Sequence, residues 1–413
     1  MEWRVPGGRE MTGRQAVLVL EDGWVLRGGA FGAANPAAAS FGEMVFNTGM
    51  TGYQETLTDP SYHRQIVAMT APHVGNTGIN DQDHESRRIW VAGYVVREPA
   101  RVASNWRSLR SLDDELRAQQ VTGIAIAGTR ALTRHLRAKG AMRAGLSAAP
   151  ADLARPDGLL ERVRASPTMA GADLAREVST PERYVVRPPG GGPARFRVAA
   201  VDLGIKATTP RKMAERGCEV HVLPATCTVA QIMAVRPDGV FFSNGPGDPA
   251  AAGYAVEAMR GVLERRVPLF GICLGSQILG RALGLRTYKL RFGHRGVNQP
   301  VMDLATGRVQ ITSHNHGFAV APPESGGDRP DGGAPDAANG AADTSLTRRA
   351  QPFGTAYGPA AVSHVCLNDG VVEGLRLLER PAFSVQYHPE AAPGTHDAAG
   401  LFRHFAELME GCR

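Results

Sequence analysis

The segment VPLFGICLGSQILGRALG, residues 267–284, constrains the fold more than any other part of the chain. Its first half is a short continuous apolar run, which is typical of a parallel strand covered on both faces. After Cys273 the apolar residues Leu274, Ile278 and Leu279 recur at close to helical spacing. The pattern therefore predicts a sharp change from a buried strand to a helix at the cysteine itself.

Two glycines, Gly271 and Gly275, flank Cys273 in a G-x-C-x-G arrangement. This is the thiol version of a nucleophile elbow, a tight turn that pushes the reactive atom outward while small neighbours leave room around it. Backbone N–H groups at the start of the helix can then donate hydrogen bonds to an oxyanion. The alternative is that Cys273 is a small buried hydrophobe, the usual role of a free cysteine. The glycines and the change of structure favour a nucleophile.

The remaining patterns predict an α/β protein with two domains. From Phe196 to the end, strand-like and helix-like segments alternate, which predicts βαβ units on a mainly parallel sheet with ligands at the carboxyl ends of its strands. Residues 11–150 predict a mixed α+β domain, in which residues 106–119 form an amphipathic helix. Residues 151–195 predict a connector that ends in a Pro- and Gly-rich linker. Within the second domain, residues 321–350 are too poor in apolar residues to bury a core, so we expect a disordered insertion.

Composition and charge argue against several classes of protein. The formal net charge is +6, and no basic stripe with interleaved aromatic residues supports nucleic-acid binding. The five cysteines include no C-x-x-C pair, and their odd number argues against a disulfide framework, so a reducing cytoplasm is the simplest setting. No apolar run approaches a membrane span, and no signal peptide is evident. Met11 is an alternative start to Met1.

A cysteine nucleophile needs a base, and the base needs a group that fixes its tautomer. His388 and Glu390 can supply both, since side chains at i and i+2 of an extended segment leave the same side of the backbone. They follow another predicted strand, residues 383–387, which a parallel sheet would bring close to Cys273. The alternative is a structural or solvated His–Glu pair, but the upstream elbow favours a catalytic one.

Several motifs resemble one known family. GICLGSQ together with YHPE is similar to the class I (triad) glutamine amidotransferases. SNGPGDP, FGHRG, HNHGFAV and PEAAPGTHDA, with FNTGMTGYQETLTDPSY and IVAMTAPHVGNTG near the N-terminus, narrow the resemblance to the small, glutamine-hydrolysing chains of carbamoyl-phosphate synthases. The resemblance covers residues 16–410 except the insertion, and it implies a flavodoxin-like amidotransferase domain after the N-terminal domain.

The resemblance also implies roles for particular residues. Cys273 would be the nucleophile, His388 the base and acid, and Glu390 the group that orients the histidine. L-glutamine would be held by Ser61, Gly245, Gly247, Leu274, Gln277, Asn315, Gly317 and Phe318.

A partner is implied as well. The family passes ammonia to a large synthetase chain, which makes carbamoyl phosphate from bicarbonate and ATP for arginine and pyrimidine biosynthesis. This chain contains no Walker-type G-x-x-x-x-G-K-[ST] motif, so we expect ATP and Mg²⁺ on the large chain and no cofactor or metal here. The complex would be a heterodimer or a higher oligomer.

Other interpretations remain open at this point. Another class I amidotransferase or a γ-glutamyl hydrolase would have the same elbow, although the N-terminal domain counts against both. A non-catalytic regulatory paralogue is suggested only by Ser276, which stands where the family often has histidine or asparagine. We expect Ser276 to affect rate or coupling. His314 and His316 could belong to a metal site or an HNH nuclease, but no further ligand cluster accompanies them in the sequence, which favours residues at the rim of a strand.

Overall fold

The computed structural model describes residues 13–34, 38–323 and 351–413. The chain divides into two compact units, one ending at Met169 and the other beginning at Ala170. Both candidate start residues, Met1 and Met11, lie outside the described residues. So do residues 324–350 of the predicted insertion. Within the described ranges, no helix is long and apolar enough to cross a membrane.

The N-terminal unit is built on a closed barrel. Its strands are β1 (Gln15–Leu20), β2 (Val25–Gly32), β3 (Ser40–Asn47), β4 (Gln65–Met69), β5 (Gly93–Val96), β6 (Thr122–Ala125) and β7 (Met142–Ser147). Their order around the barrel is β1-β2-β6-β5-β4-β3-β7, with β3 to β6 parallel and the other pairs antiparallel. The helices are α1 (Tyr53–Thr58), α2 (Leu112–Ala118), α3 (Thr129–Lys139), α4 (Pro150–Ala154) and α5 (Pro156–Ala165).

Helix α2 is shorter than the sequence pattern predicts. It begins at Leu112 because the hydroxyl of Ser111 accepts a hydrogen bond from the N–H of Asp114 at 3.1 Å, which caps the helix. Trp106, at the start of the predicted helix, is 91% exposed in the preceding loop. The apolar periodicity of residues 106–111 therefore does not correspond to a buried helical face.

The C-terminal unit alternates strands and helices around a single sheet. Its strands are β8 (Tyr184–Val186), β9 (Phe196–Asp202), β10 (Cys218–Pro224), β11 (Gly239–Phe242), β12 (Leu269–Ile272), β13 (Thr287–Asp303), β14 (Val309–Val320), β15 (Phe353–Thr355), β16 (Gly358–Cys366), β17 (Val372–Leu377) and β18 (Ala382–Val385). Its helices are α6 (Ala175–Val178), α7 (Thr208–Ala214), α8 (Val229–Ala234), α9 (Gly253–Glu264), α10 (Leu274–Ala282) and α11 (Gly400–Gly411).

The centre of this sheet is parallel, which confirms the predicted α/β class. Strands β10, β9, β11, β12 and β18 lie side by side and parallel, whereas β8 and the strands beyond β18 add antiparallel pairs at the two sides. Both faces of the parallel part are buried. Phe270 and Phe383 stack at 4.4 Å on the face covered by α11, and Leu269 packs on the other face with α9 and α10.

The predicted connector, residues 151–195, is divided between the two units. Leu159 and Val163 of α5 are fully buried against the barrel, so the helices that follow β7 belong to the N-terminal unit. Strand β8 pairs antiparallel with β10 and belongs to the C-terminal unit. The Pro- and Gly-rich run before Phe196 is an exposed loop within that second unit and not a linker between units. The sequence does not distinguish the two, because surface turns and linkers have the same composition.

Candidate active site

The strand-to-helix change occurs at Cys273, as predicted. The residue lies between β12 and α10 with a backbone φ of +54°, which residues other than glycine rarely adopt. A Cβ on Gly275 would lie 2.2 Å from the carbonyl oxygen of Phe242, and one on Gly271 would lie 2.8 Å from the backbone of Gly275. Both positions therefore require glycine if the elbow is to close.

The thiol is buried at the carboxyl end of β12 and faces strand β14. Its Sγ donates to the carbonyl oxygen of Asn315 at 3.6 Å. At the start of α10, the N–H groups of Gly275 and Ser276 already donate to Ser243 and Cys273. The first N–H of a helix has no acceptor within the helix, which makes that of Leu274 the donor available to a ligand.

A buried chain of polar groups leads away from the thiol. Nδ1 of His388 lies 2.7 Å from Oε1 of Glu390, and the same oxygen accepts a hydrogen bond from Nζ of Lys206 at 3.0 Å. Nε2 of His388 makes no hydrogen bond of ordinary geometry with any described residue, yet the imidazole is close enough to Cys273 for the thiol to raise its pKa. The imidazole is therefore oriented at one nitrogen and available for a proton at the other.

The neighbouring charges hold both His388 and Glu390 in their ionised forms. Burial alone would lower the pKa of His388, but the charge of Glu390, the nearby Cys273 and the hydrogen bond with Glu390 raise that pKa to about 10. Burial would raise the pKa of the Glu390 carboxyl, but the charges of Lys206 and His388 hold that pKa well below its ordinary value. The pair is an imidazolium and a carboxylate at neutral pH.

Lys206 is the one residue of this buried polar series that the sequence did not predict. It follows β9, at the same edge of the sheet as Cys273 and His388, and its side chain is 4% exposed. A buried lysine is costly unless its charge is paired, so its place beside Glu390 indicates a role in the site. The available signal was its position after a predicted parallel strand in a chain with few lysines.

The glycines of SNGPGDP pack tightly beside the elbow. A Cβ on Gly245 would lie 2.0 Å from the carbonyl oxygen of Leu203 and 3.0 Å from the side chain of Leu274. Gly247 has φ +95°, and its Cβ would lie 2.5 Å from the carbonyl oxygen of Ala172. Both glycines are needed for this loop to approach the neighbouring backbone, which brings it to the same end of the sheet as Cys273.

Gln277, one turn into α10, connects the elbow to strand β14. Its Nε2 donates to the carbonyl oxygen of Phe318 at 2.8 Å and to Oε1 of Gln386 at 3.1 Å. Phe318 and Asn315 are buried in the same strand, with Gly317 between them and the side chain of Arg295 close beside that glycine. The predicted glutamine contacts of the C-terminal unit therefore lie on three neighbouring segments.

Two family models together match most of the chain. One, described as carbamoyl-phosphate synthase small chain, CPSase domain, matches residues 18–146. The other, described as glutamine amidotransferase class-I, matches residues 199–342 and 348–408. The chain belongs to the carbamoyl phosphate synthase small chain family. The C-terminal unit, which carries Cys273 and His388, is the class I glutamine amidotransferase domain.

Proteins named carbamoyl phosphate synthase small chain are similar along nearly their whole length. The one from Streptomyces coelicolor is 64% identical over 96% of this chain and 97% of its own, and the one from Mycobacterium tuberculosis H37Rv is 58% identical over 96% and 99%. A solved glutamine amidotransferase from Thermotoga maritima superposes with a TM-score of 0.33 at 15% identity, over 52% of this chain and 85% of its own. That likeness is too weak to add to the assignment.

Two further residues of this small chain have defined surroundings. Ser61 lies in the N-terminal unit, buried in a short 3-10 turn where its N–H donates to Oδ1 of Asp59 at 2.9 Å. Ser276, the departure from the usual family pattern, is buried in α10 with its hydroxyl 2.9 Å from that of Ser384. The serine therefore joins the elbow helix to β18 and does not disturb the Cys273 turn.

The small-chain motif HNHGFAV has surroundings that differ from expectation. His314 and His316 are buried, not at a rim, and the structure brings His294 and Glu373 beside them. Burial lowers the pKa of His314 and His316 well below the ordinary value and raises that of Glu373 to about 7. Burial would also lower the pKa of His294, but the hydrogen bond to Asp369 and the nearby carboxylate of Glu373 raise that pKa to about 9.

Proposed function

We propose that this chain hydrolyses L-glutamine to glutamate and ammonia through a covalent thioester on Cys273. The observation that supports the proposal is the buried series of groups from the thiol through His388 and Glu390 to Lys206, at the carboxyl ends of parallel strands. A nucleophile, an oriented base and a charged group that fixes the base are what acyl transfer requires.

In the first half-reaction the proton of the thiol is held on Nε2 of His388, which makes the histidine an imidazolium, and Sγ attacks the side-chain amide carbon of glutamine as a thiolate. The N–H groups of Leu274 and Gly247 stabilise the oxyanion that forms. His388 gives its proton to the amide nitrogen, the C–N bond breaks, and ammonia leaves. The pKa of about 10 keeps His388 protonated until this transfer, which favours its action as the acid.

In the second half-reaction water attacks the γ-glutamyl thioester. His388 takes a proton from the water, the C–S bond breaks, and glutamate forms while the proton returns to Sγ. The substrate is positioned by the loop glycines, the elbow helix and strand β14, through Gly245, Gly247, Leu274, Gln277, Asn315, Gly317 and Phe318.

The ammonia is delivered to a large synthetase chain that forms carbamoyl phosphate from bicarbonate and ATP, for arginine and pyrimidine biosynthesis. Membership in the small chain family supports such a partner in general. ATP and Mg²⁺ bind to that partner and not to this chain. The proposal places the complex in the cytoplasm.

A glutaminase assay on the purified chain, alone and mixed with its large chain, tests the proposal. We expect slow glutamine hydrolysis by the chain alone, faster hydrolysis in the complex, and γ-glutamyl hydroxamate when hydroxylamine intercepts the thioester. Cys273→Ser should abolish all three signals. Cys227→Ser is the matched control, because Cys227 is a buried cysteine of the same unit that packs in the core beside α8 and α9.

Three results would overturn the proposal. Hydroxamate formation by Cys273→Ser would exclude the thioester on this residue. Cleavage of γ-glutamyl peptides as fast as glutamine, with no effect of the large chain, would identify a γ-glutamyl hydrolase. A folded wild-type complex without glutamine turnover would identify a regulatory paralogue.

A further inference from the structure

Four buried side chains converge between strands β13, β14 and β17. They are His294, His314, His316 and Glu373, and each offers an imidazole nitrogen or a carboxylate oxygen to a common centre, with all of these atoms within 4.8 Å of one another. The side chains of the three histidines are at most 8% exposed, and that of Glu373 is fully buried. The four side chains lie in the interior of the C-terminal unit, where a carboxylate without a compensating charge destabilises the fold.

The two shortest separations between these atoms are close to the edge of a coordination tetrahedron. Zinc bonds of about 2.0–2.1 Å to nitrogen and oxygen place neighbouring ligand atoms about 3.3–3.4 Å apart in a tetrahedron. Nδ1 of His314 lies 3.2 Å from Nε2 of His316, and Nδ1 of His294 lies 3.5 Å from Oε1 of Glu373. Nδ1 of His314 lies 3.7 Å from Oε2 of Glu373, and Nε2 of His316 lies 3.8 Å from Oε1.

Each imidazole is also fixed at its other ring nitrogen. In the order of the chain, the partners are Oδ2 of Asp369 at 2.7 Å, Oγ1 of Thr312 at 2.7 Å and the carbonyl oxygen of Phe318 at 2.9 Å. A metal-bound histidine characteristically uses its second nitrogen on a carboxylate, hydroxyl or backbone carbonyl, which sets the orientation of the ring. All three rings therefore present the nitrogen that faces the common centre.

The centre itself contains unpartnered atoms. Both carboxylate oxygens of Glu373 and Nδ1 of His294 are buried and have no hydrogen-bond partner among the described residues. Buried polar atoms nearly always have a partner, and a buried carboxylate without one costs several kcal/mol. A cation at the centre would bind Nδ1 of His294 and one oxygen of Glu373 and would neutralise the charge of the carboxylate.

We propose that His294, His314, His316 and Glu373 bind one divalent transition-metal ion, with zinc as the best match. Imidazole nitrogens with one carboxylate oxygen suit zinc and its neighbours better than Ca²⁺ or Mg²⁺, which prefer oxygen ligands. Four protein ligands close the coordination sphere, so the ion is structural.

The ion would hold strands β13, β14 and β17 together beside the thiol. Asn315 lies between two of the ligands, and its carbonyl oxygen accepts the hydrogen bond from Cys273. The ion is therefore a positioning element for this segment. Binding of the ion does not require that the chain hydrolyses glutamine.

The metal content of the untagged full-length chain, purified without chelator and measured by inductively coupled plasma mass spectrometry, tests the proposal. We expect one zinc ion per chain, a lower melting temperature after chelation, and recovery when Zn²⁺ is returned. X-ray absorption of the wild-type protein should show only nitrogen and oxygen neighbours at about 2.0–2.1 Å. Co²⁺ in place of Zn²⁺ should give the visible absorption of a tetrahedral site.

His314→Gln and Glu373→Gln should each reduce the zinc content at least tenfold under the same conditions. Cys366→Ser is the matched control, since Cys366 lies near His294 and Asp369 but outside the proposed ligand set. A wild-type chain that binds neither Zn²⁺ nor Co²⁺ would show an empty, protonated cluster and overturn the proposal. Sulfur in the coordination sphere, or full zinc content in both glutamine variants, would overturn it as well.

Discussion

Replacing Lys206 by methionine would remove the cation from the innermost ion pair of the candidate site while keeping the length of the side chain. Nζ of Lys206 lies 3.0 Å from Oε1 of Glu390, and the two side chains are 4% and 0% exposed. Removing one partner of a buried pair strands the other charge in the interior, which costs about 3–5 kcal/mol. We expect Lys206→Met to lose that much of the free energy of unfolding at pH 7.

Lys212→Met is the matched control. Lys212 lies in α7, six residues further along the chain, and its ion pair with Glu215 at 3.5 Å is solvated, with the side chains 30% and 53% exposed. An exposed pair contributes about 0–1 kcal/mol, so the control should remain close to wild type. The contrast separates loss of a buried charge from loss of any lysine.

Hydrogen exchange of peptides from α10 and β12 is the appropriate measurement. All four tryptophans precede Met169, so tryptophan fluorescence follows the N-terminal unit and would miss the effect. At about 1.36 kcal/mol per tenfold, a loss of 3–5 kcal/mol corresponds to roughly 150- to 5,000-fold faster exchange of amides that open only by unfolding.

The pH dependence gives the same prediction a second check. The depressed pKa of Glu390 contributes stability that is present above its ordinary value of 4.5 and is lost as pH falls through the folded-state pKa. Without Lys206 that pKa rises, so the acid loss of stability and of glutaminase activity should begin at a higher pH. The reasoning would be refuted if Lys206→Met had the same exchange rates as Lys212→Met and lost stability and activity at the same acidic pH.

Three further predictions follow from the same site. Gly275→Ala should destabilise the C-terminal unit by about 1–3 kcal/mol, measured by hydrogen exchange, because its Cβ would overlap a carbonyl oxygen of β11 at 2.2 Å. Ser276→Ala should cost about 1 kcal/mol through the lost bond to Ser384 and leave glutamine turnover near wild type, whereas a large fall in turnover would restore Ser276 as a functional departure. Glu390→Gln should lower the pKa of His388 from about 10 to near or below its ordinary value of 6.5, because the effect of burial then prevails. The same variant should reduce glutamine turnover by about 10²–10⁴-fold. A His388 that still titrates near 10 by NMR would contradict this assignment.

The elbow at Cys273 and the proximity of His388 and Glu390 could be predicted because their signals are local. A buried strand, two glycines and a helical repeat around Cys273 require one backbone path, and His388 and Glu390 are only two residues apart just after β18, although they lie in a turn and not in the extended segment that the sequence predicts. The chain's division at Met169 could not be predicted in this way. Whether a Pro- and Gly-rich run links two units or forms a surface loop depends on which strands pair around it.

The sequence by itself determined the α/β class of the second domain, the elbow at Cys273 and the family, because short-range periodicity and motif order carry them. Tertiary structure alone decided the place of Lys206, which is 184 residues from Glu390 along the chain. It also decided that His294 and Glu373 join His314 and His316, since antiparallel pairing of β13, β14 and β17 brings distant segments side by side. The physical reason is that a buried charge must find its partner in space, and local pattern does not record which strands will be neighbours.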